Sequence, residues 1–385
     1  MKATARTISG MRRSGIREIM DLAAQDRDVL RLEVGDPNFP TPTHIIEAAA
    51  QAAADGFTKY TANRGIPSVR ETLATKIAMQ NGFEVGIDQL VVTTGAVTAL
   101  LQSLMVLCDP GDVVLLPDLA WPNYEMMTTV IDAPVRRYPL DPARGFLPDL
   151  DALDRICRDT PLAKALVINS PANPTGGVFD RPTVEGLIDI ANRYDLYLVS
   201  DEAYEDIIFE GGHISPASLN GSGRVISVFT VSKSYAMTGW RIGYVAASQE
   251  VAALISKLQE AMTSCATAVA QKAAQAAIGG DQACVAEMRD AYRQRRDMTT
   301  DLLAEEGLLI TKPHGAFYVL ADTSPTGLDG YEFCRKLIVQ RGVALAPGET
   351  FGSTGSGKVR ISLATAPADL EEGVRRFCAA VRDWS

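Results

Sequence analysis

The chain has few of the residues that build metal centres or disulfide frameworks. Its three histidines, His44, His213 and His314, are far apart in the sequence, so no metal-site spacing is present and we expect no bound metal. The six cysteines occur singly, without a Cys-x-x-Cys pair: Cys108, Cys157, Cys265, Cys284, Cys334 and Cys378. We expect reduced, mostly buried thiols, as in a cytoplasmic protein.

Long apolar runs and an excess of positive charge are also lacking. No apolar stretch reaches the length of a membrane span, which is about 20 residues. The net charge of −10 argues against nucleic-acid and membrane partners, because both call for basic surfaces.

Basic residues collect only at the N-terminus, where the first seventeen residues contain no acid. These basic residues are Lys2, Arg6, Arg12, Arg13 and Arg17. The pattern resembles an organelle transit peptide, or an N-terminal arm that packs at a dimer interface. We favour the arm, because no signal-peptide apolar core is present.

Short apolar segments alternate with helical segments through the middle of the chain. The predicted strands are Leu90–Thr94, Val113–Leu116, Val135–Tyr138, Ala165–Asn169, Leu196–Ser200, Val225–Thr230 and Ile242–Ala246. This alternation predicts an α/β domain with a mainly parallel, seven-stranded sheet between helices.

The C-terminal third has a different pattern, which predicts a smaller α+β domain. A long helix is expected over Ala283–Glu306, followed by strands at Tyr318–Ala321 and Val359–Leu363, and by helices at Tyr331–Arg341 and Ala368–Trp384. We therefore expect a large domain over residues 45–283. The small domain would combine residues 1–44 with residues 284–385.

Lys233 directly follows the apolar segment that ends in Thr230, so it lies at the carboxyl end of a predicted strand. Open α/β sheets place their ligands at that edge. Tyr235 and Met237 would place apolar surface beside the amine, and desolvation would leave it nucleophilic and suited to forming a Schiff base. A solvated surface lysine is the alternative for this residue alone.

Three further segments carry matching chemistry. Asp201 ends the next strand-like run as a carboxylate that requires a cationic partner. Asn173 lies in the turn-rich loop 170–176, ahead of a proline. Gly95 separates a strand from a helix start, where free N–H groups and the helix dipole suit a phosphate. Each signal alone is also typical of ordinary α/β architecture. Together they match pyridoxal 5′-phosphate held by a lysine.

The segments at 32–37, 58–60, 65–67, 169–176, 200–204, 232–244, 315–318 and 359–362 lie in the order and at the spacings of one family. On these motifs the chain resembles a class I aminotransferase, a fold-type I pyridoxal phosphate enzyme of the branch that includes bacterial aspartate and aromatic aminotransferases. The resemblance runs from about residue 32 to the end.

The resemblance implies a role for each matching residue. Lys233, Asp201 and Tyr204 would be catalytic. The cofactor would be bound by Gly95, Ala96, Val97, Trp121, Asn173, Asp201, Tyr204, Ser232, Lys233 and Arg241, and by Tyr60 of a neighbouring subunit in a homodimer with shared active sites. Gly35, Trp121, Asn173 and Arg360 would bind substrate, with Arg360 on its α-carboxylate. Core packing for Trp121 and an exposed edge-strand position for Arg360 are the alternatives.

The implied reaction is transfer of an amino group from an L-amino acid to a 2-oxo acid, with 2-oxoglutarate expected, by a ping-pong mechanism. Some members of the branch carry a lysine where this chain has Val97, and that lysine meets a second substrate carboxylate. Arg64 across the dimer is a candidate replacement; neutral or aromatic amino acids are favoured over aspartate. A carbon–sulfur β-lyase is the alternative function, since it shares the same residues.

Overall fold

The computed structural model describes residues 4–11, 13–219 and 223–385. Lys2 and Arg12 of the basic N-terminal arm lie outside these residues. The α-helices are α1 (Arg6–Ser9), α2 (Gly15–Ala23), α3 (Thr43–Ala54), α4 (Pro67–Lys76), α5 (Ala96–Leu107), α6 (Asn123–Val130), α7 (Leu150–Arg158), α8 (Arg181–Arg193), α9 (Gln249–Met262), α10 (Ala268–Gly279), α11 (Ala283–Glu305), α12 (Gly330–Arg341) and α13 (Pro367–Trp384).

Most strands belong to one large sheet, and the rest to two small ones. They are β1 (Leu30–Arg31), β2 (Leu90–Thr93), β3 (Val113–Asp118), β4 (Val135–Asp141), β5 (Leu147–Pro148), β6 (Ala163–Asn169), β7 (Tyr197–Asp201), β8 (Val225–Thr230), β9 (Gly243–Ala246), β10 (Tyr318–Asp322), β11 (Val343–Ala344), β12 (Ala346–Pro347) and β13 (Lys358–Ser362).

The large sheet has the strand order β2-β9-β8-β7-β6-β3-β4-β5. Strands β8, β7, β6, β3 and β4 are parallel neighbours, whereas β9 runs antiparallel to both β2 and β8. All seven predicted strands are present. The predicted number was nevertheless one too low, because the two-residue strand β5 pairs antiparallel with β4 and is too short to show a periodic pattern.

Helices cover both faces of this sheet, and the alternation of side chains along the strands explains why. In β6, Ala165 and Val167 pack in one apolar cluster with residues of α5, α6 and α9. Leu166 and Ile168 point to the opposite face and pack with residues of α7 and α8. The strands are therefore apolar on both faces, as parallel strands between helices usually are.

A second core lies around the three-stranded antiparallel sheet β10-β13-β12 and the parallel pair β1-β11. Residues of α2, α11, α12 and α13 pack with residues of β1, β10, β11 and β13 in one apolar cluster. The expected strands and helices of this region are present, with bounds shifted by one residue. Strands β1, β11 and β12 were not expected, since each has only two residues.

In the described part of the chain, no helix combines the length and the apolar character needed to cross a membrane. All six cysteines are free thiols, and four of them are buried.

Candidate active site

A cavity of about 490 Å³ lies at the carboxyl ends of β6, β7 and β8. The parallel register aligns Asn169 with Asp201, which brings the polar residues after these strands to one edge. Of the residues singled out in the sequence, the cavity is lined by Gly35, Ala96, Val97, Trp121, Asn173, Asp201, Tyr204, Ser232, Lys233, Arg241 and Arg360.

Lys233 presents a buried amine to this cavity. Its Nζ donates a hydrogen bond to the Gly35 carbonyl oxygen over 2.7 Å. Burial lowers the pKa of Lys233 to about 8; Asp36 opposes this shift, and the positive charges of Arg360 and Arg241 add to it. About a tenth of the Lys233 side chain is therefore a neutral, nucleophilic amine at pH 7, far more than for an ordinary lysine.

Asp201 is a buried carboxylate, only 4% exposed, with two hydrogen-bond donors. The Tyr124 hydroxyl donates to its Oδ2 over 2.6 Å, and the Ala203 N–H donates to its Oδ1 over 3.1 Å. Burial raises the pKa of Asp201 to about 6, although the Tyr124 hydrogen bond acts in the opposite direction. A cationic group placed in the cavity would therefore stabilise the ionised form of Asp201.

The turn between β2 and α5 forms a cradle of backbone N–H groups. Gly95 caps α5 at a φ of +86°, and the first helical residues, Ala96 and Val97, line the cavity. A Cβ atom on Gly95 would lie 2.4 Å from Nη2 of Arg241, so the guanidinium packs directly against the turn. The helix N-terminus, the Arg241 guanidinium and the Ser232 hydroxyl together suit a bound phosphate.

Arg360 is buried at 2% exposure and reaches the same cavity from β13. It donates from Nη1 to Asn173 Oδ1 over 2.8 Å and from Nη2 to the Glu33 carbonyl oxygen over 2.6 Å. Burial lowers its pKa, and the guanidinium lies 4.2 Å from the centre of the Tyr318 ring. Its hydrogen-bond acceptors are neutral oxygens, so the buried cation is suited to an incoming carboxylate.

Two tyrosine hydroxyls complete the wall beside Arg360. Tyr204 and Tyr318 are buried, and their hydroxyl oxygens lie 2.8 Å apart. Burial raises the pKa of Tyr204 well above its usual range, so its hydroxyl stays protonated and can donate a hydrogen bond. A Cβ atom on Gly35 would lie 2.0 Å from the Tyr318 hydroxyl, so this wall requires glycine at position 35.

The sequence also matches a family of known proteins. The model of the family described as aminotransferase class I and II matches residues 27–377. The chain belongs to that family.

Two curated relatives and one solved structure illustrate the similarity. The probable aspartate aminotransferase of Methanocaldococcus jannaschii is 40% identical, with 94% of this chain and 95% of the relative covered. The aspartate/prephenate aminotransferase of Thermus thermophilus is 38% identical, with 98% of each chain covered. The structure of Thermus thermophilus aspartate aminotransferase with maleate has a TM-score of 0.94 at 37% identity, and covers 99% of this chain and 100% of that one.

Class I aminotransferases of fold type I depend on pyridoxal 5′-phosphate, and the cavity of this aminotransferase fits that cofactor. Lys233 supplies the neutral amine, and Asp201 supplies a buried carboxylate that matches a ring-nitrogen cation. A Cβ on Gly95 would meet the Arg241 guanidinium, so the turn stays open as a backbone cradle for the phosphate. When bound, the cofactor supplies a carbonyl carbon that accepts the amino group and a ring that withdraws electrons from the substrate Cα.

Three residues of this aminotransferase that were not predicted as site residues hold the predicted ones in place. Tyr318 and Asn169 lie in the family motifs, and Tyr124 lies near Trp121, but none of the three had a role assigned to it. Asn169 donates from Nδ2 to the Asp201 carbonyl oxygen over 2.9 Å, and its Oδ1 accepts from the Asn173 N–H over 2.7 Å. The sequence offered one signal for Tyr124, its position three residues after Trp121, and the two rings lie 5.5 Å apart.

Two residues predicted to act across a dimer do not line this cavity. Tyr60 has a side chain that is 90% exposed and lies by a separate depression with Phe57. Arg64 donates to the Asp88 carbonyl oxygen and lies 3.7 Å from its carboxylate. Their proposed roles require a partner subunit and stay predictions.

The described residues include one group with metal-ligand chemistry that the sequence spacing did not suggest. Ligand atoms of Glu202, Glu205 and His213 lie within 4.8 Å of one another. His213 Nε2 lies 2.7 Å from Glu202, and Lys76 and Asn81 both donate to Glu205. The Lys76 ammonium thus supplies positive charge to this partly buried group, which forms an ion-pair network.

Proposed function

We propose that this aminotransferase transfers the amino group of neutral, aromatic and dicarboxylic L-amino acids to 2-oxoglutarate by a ping-pong mechanism. The observation that carries the proposal is the common cavity of Lys233, Asp201 and Arg360, which combines a nucleophilic amine, a partner for a ring cation and a carboxylate clamp. The similarity to enzymes named for aspartate and prephenate supports the inclusion of dicarboxylic substrates.

Each side chain in the cavity has a separate task in the proposal. Lys233 removes a proton from the substrate Cα and returns it to the cofactor carbon, a step that its lowered pKa favours. Asp201 keeps the ring nitrogen protonated, and Tyr124 holds the Asp201 carboxylate in position. Asn173 and Tyr204 donate hydrogen bonds to the ring oxygen.

The remaining contacts hold the phosphate, the ring and the substrate. The N–H groups of Ala96 and Val97, the Ser232 hydroxyl and the Arg241 guanidinium bind the phosphate. Trp121 stacks on the ring; its present neighbour is Tyr124, with ring centres 5.5 Å apart in an edge-on arrangement. Arg360 binds the substrate α-carboxylate, which any amino-acid donor carries.

We further propose a cytoplasmic homodimer in which the exposed Tyr60 of each subunit reaches the phosphate of the other. Its 90% exposed side chain supports this role, because a tyrosine buries considerable apolar surface when it finds a partner. The proposed large domain covers residues 45–283, and the proposed small domain joins residues 1–44 with 284–385. The apolar cluster shared by α2 and α13 supports the latter.

The test is a half-reaction with purified holoenzyme and one amino donor at a time, namely alanine, phenylalanine, aspartate or glutamate. We expect the cofactor to become pyridoxamine phosphate, with one equivalent of 2-oxo acid released per site and no ammonia. The same enzyme with L-cystathionine tests the β-lyase alternative. Pyruvate and ammonia released catalytically from L-cystathionine, without amination of the cofactor by any donor, would contradict the proposal.

A further inference from the structure

The position of Val97 leaves a dicarboxylic substrate without an obvious partner for its second carboxylate. Val97 lines the cavity with an apolar side chain, and an unpaired carboxylate cannot be buried against it at low cost. We propose that Arg17, on helix α2, binds the distal carboxylate of dicarboxylic substrates. This inference rests on the proposed function, since it names a specificity residue of the same site.

Among the described residues, four side chains that can carry a positive charge line the cavity, and three of them have tasks. In the proposed function, Lys233 reacts with the cofactor carbonyl, Arg241 binds the phosphate, and Arg360 binds the α-carboxylate. Arg17 is the fourth. The carboxylates on the lining, Asp36 and Asp201, leave the cavity with an excess of positive charge. An excess of positive charge favours anionic ligands, such as a phosphate and a substrate carboxylate.

The side chain of Arg17 is available for a ligand. Within the described ranges its guanidinium has neither an ion-pair nor a hydrogen-bond partner, and it is exposed to solvent. The acidic neighbours on its own helix are occupied: Glu18 bonds Arg335, and Asp21 pairs with Arg13 over 2.7 Å. A planar guanidinium with free N–H groups is suited to bidentate binding of a carboxylate.

Helix α2 places this guanidinium on a fixed support. Ile19 and Ala23 are buried in the core formed with β10 and β13, and they anchor one face of the helix. Ile16, Arg17 and Met20 lie on the turn that faces the cavity, with the apolar pair on either side of the arginine. The distal end of a substrate would thus meet one cation with apolar flanks, which also suits an uncharged side chain.

The first test measures binding to the holoenzyme by calorimetry with succinate and with butyrate, which differ only in the second carboxylate. In Arg17→Ala the affinity for succinate is expected to fall about tenfold, because one charge-assisted hydrogen bond is lost. The affinity for butyrate should stay within about twofold of that of the wild type. Arg17→Lys should keep part of the affinity. Arg13→Ala is the matched control, because it removes an exposed arginine of the same arm that does not line the cavity.

The second test compares kcat/KM for glutamate with that for norvaline, its analogue without the distal carboxylate. The ratio is expected to fall about tenfold in Arg17→Ala and to stay constant in Arg13→Ala. An unchanged succinate affinity in Arg17→Ala, or equal weakening of succinate and butyrate, would overturn the proposal. So would a loss confined to Arg64→Ala. If none of the amino donors aminated the cofactor of the wild-type enzyme, the proposed function itself would be refuted, whatever the succinate result.

Discussion

Asp201 and Lys233 are ionisable side chains whose pKa values are shifted by the same physical cause. Burial disfavours any charge, so it raises the pKa of the carboxylic acid to about 6 and lowers that of the ammonium to about 8. The pKa values of both groups therefore lie close to neutral pH, so a small change in their surroundings alters their charge. A ring cation beside Asp201 and a carbonyl beside Lys233 are the partners that such groups require.

Replacing Asp201 by asparagine should have opposite effects on stability and on catalysis: the apoprotein becomes more stable, and the reaction becomes slower. The native pKa of about 6 lies above the ordinary 3.8, so the folded apoprotein favours the protonated acid. The free energy of unfolding therefore falls as the pH rises from about 4 to 6, and the whole loss is present above about pH 6. Above about pH 7, Asp201→Asn should stabilise the apoprotein by up to about 3 kcal/mol. Unfolding of the apoprotein and holoenzyme, each with and without the substitution, measures this effect.

The same substitution should slow Cα proton removal far more than it weakens substrate binding, because Asp201 acts on charge that develops in the transition state. Single-turnover rates check this expectation. Asp201 would be merely structural if the variant kept wild-type turnover, or if apoprotein and holoenzyme were destabilised equally.

The lowered pKa of Lys233 predicts how covalent attachment of the cofactor depends on pH. Only the neutral amine attacks a carbonyl, so attachment to the apoprotein should accelerate about tenfold per pH unit below pH 8 and level off above it. Stopped-flow absorbance after addition of pyridoxal phosphate follows the reaction. A rate that continues to rise to pH 10, the range of an ordinary lysine, would show that Lys233 is not desolvated.

At the scale of elements, continuous apolar segments predicted the strands well, because parallel strands between helices are buried on both faces. The same reasoning located Asp201 and Lys233 at strand ends. It could not assign Tyr124 or Tyr318, whose roles depend on hydroxyl partners distant in sequence; Tyr124 and Asp201 are 77 residues apart. Strand β5 was missed because two residues show no periodicity.

The turn before α5 gives a prediction about how an element binds phosphate. In Gly95→Ala the new Cβ would lie 2.4 Å from Arg241 Nη2, so the guanidinium must leave the turn. We expect the affinity for pyridoxal phosphate to fall about tenfold or more, the loss of a charge-assisted contact plus a distorted cradle. Absorbance titration of the apoprotein measures the dissociation constant.

Gly111→Ala is the matched control for this experiment. Gly111 also has a positive φ, +94°, but a Cβ there would meet nothing within 4 Å. The Gly111→Ala variant therefore has the same kind of backbone strain as Gly95→Ala, but its new Cβ does not contact the phosphate turn. Equal losses of affinity in the two variants would mean that backbone strain alone, and not the Arg241 contact, weakens binding.

At the scale of the whole molecule, the site depends on contacts between residues of the two cores. Arg360 from β13 bonds Asn173 after β6, Tyr318 from β10 meets Tyr204 after β7, and Lys233 bonds the Gly35 carbonyl. Except for Tyr318, each of these residues could be selected from the sequence by its motif. Their convergence on one cavity could not, because it depends on how the second core packs against the large sheet.

The most direct test of this convergence is to reduce the purified holoenzyme with borohydride and map the modified peptide by mass spectrometry. We expect one pyridoxyl group per chain, on Lys233. It should be absent from Lys233→Ala, even though that variant still binds the cofactor through the phosphate turn. A pyridoxyl group on any other lysine of the wild-type chain, or none at all, would contradict the assignment of this cavity as the active site.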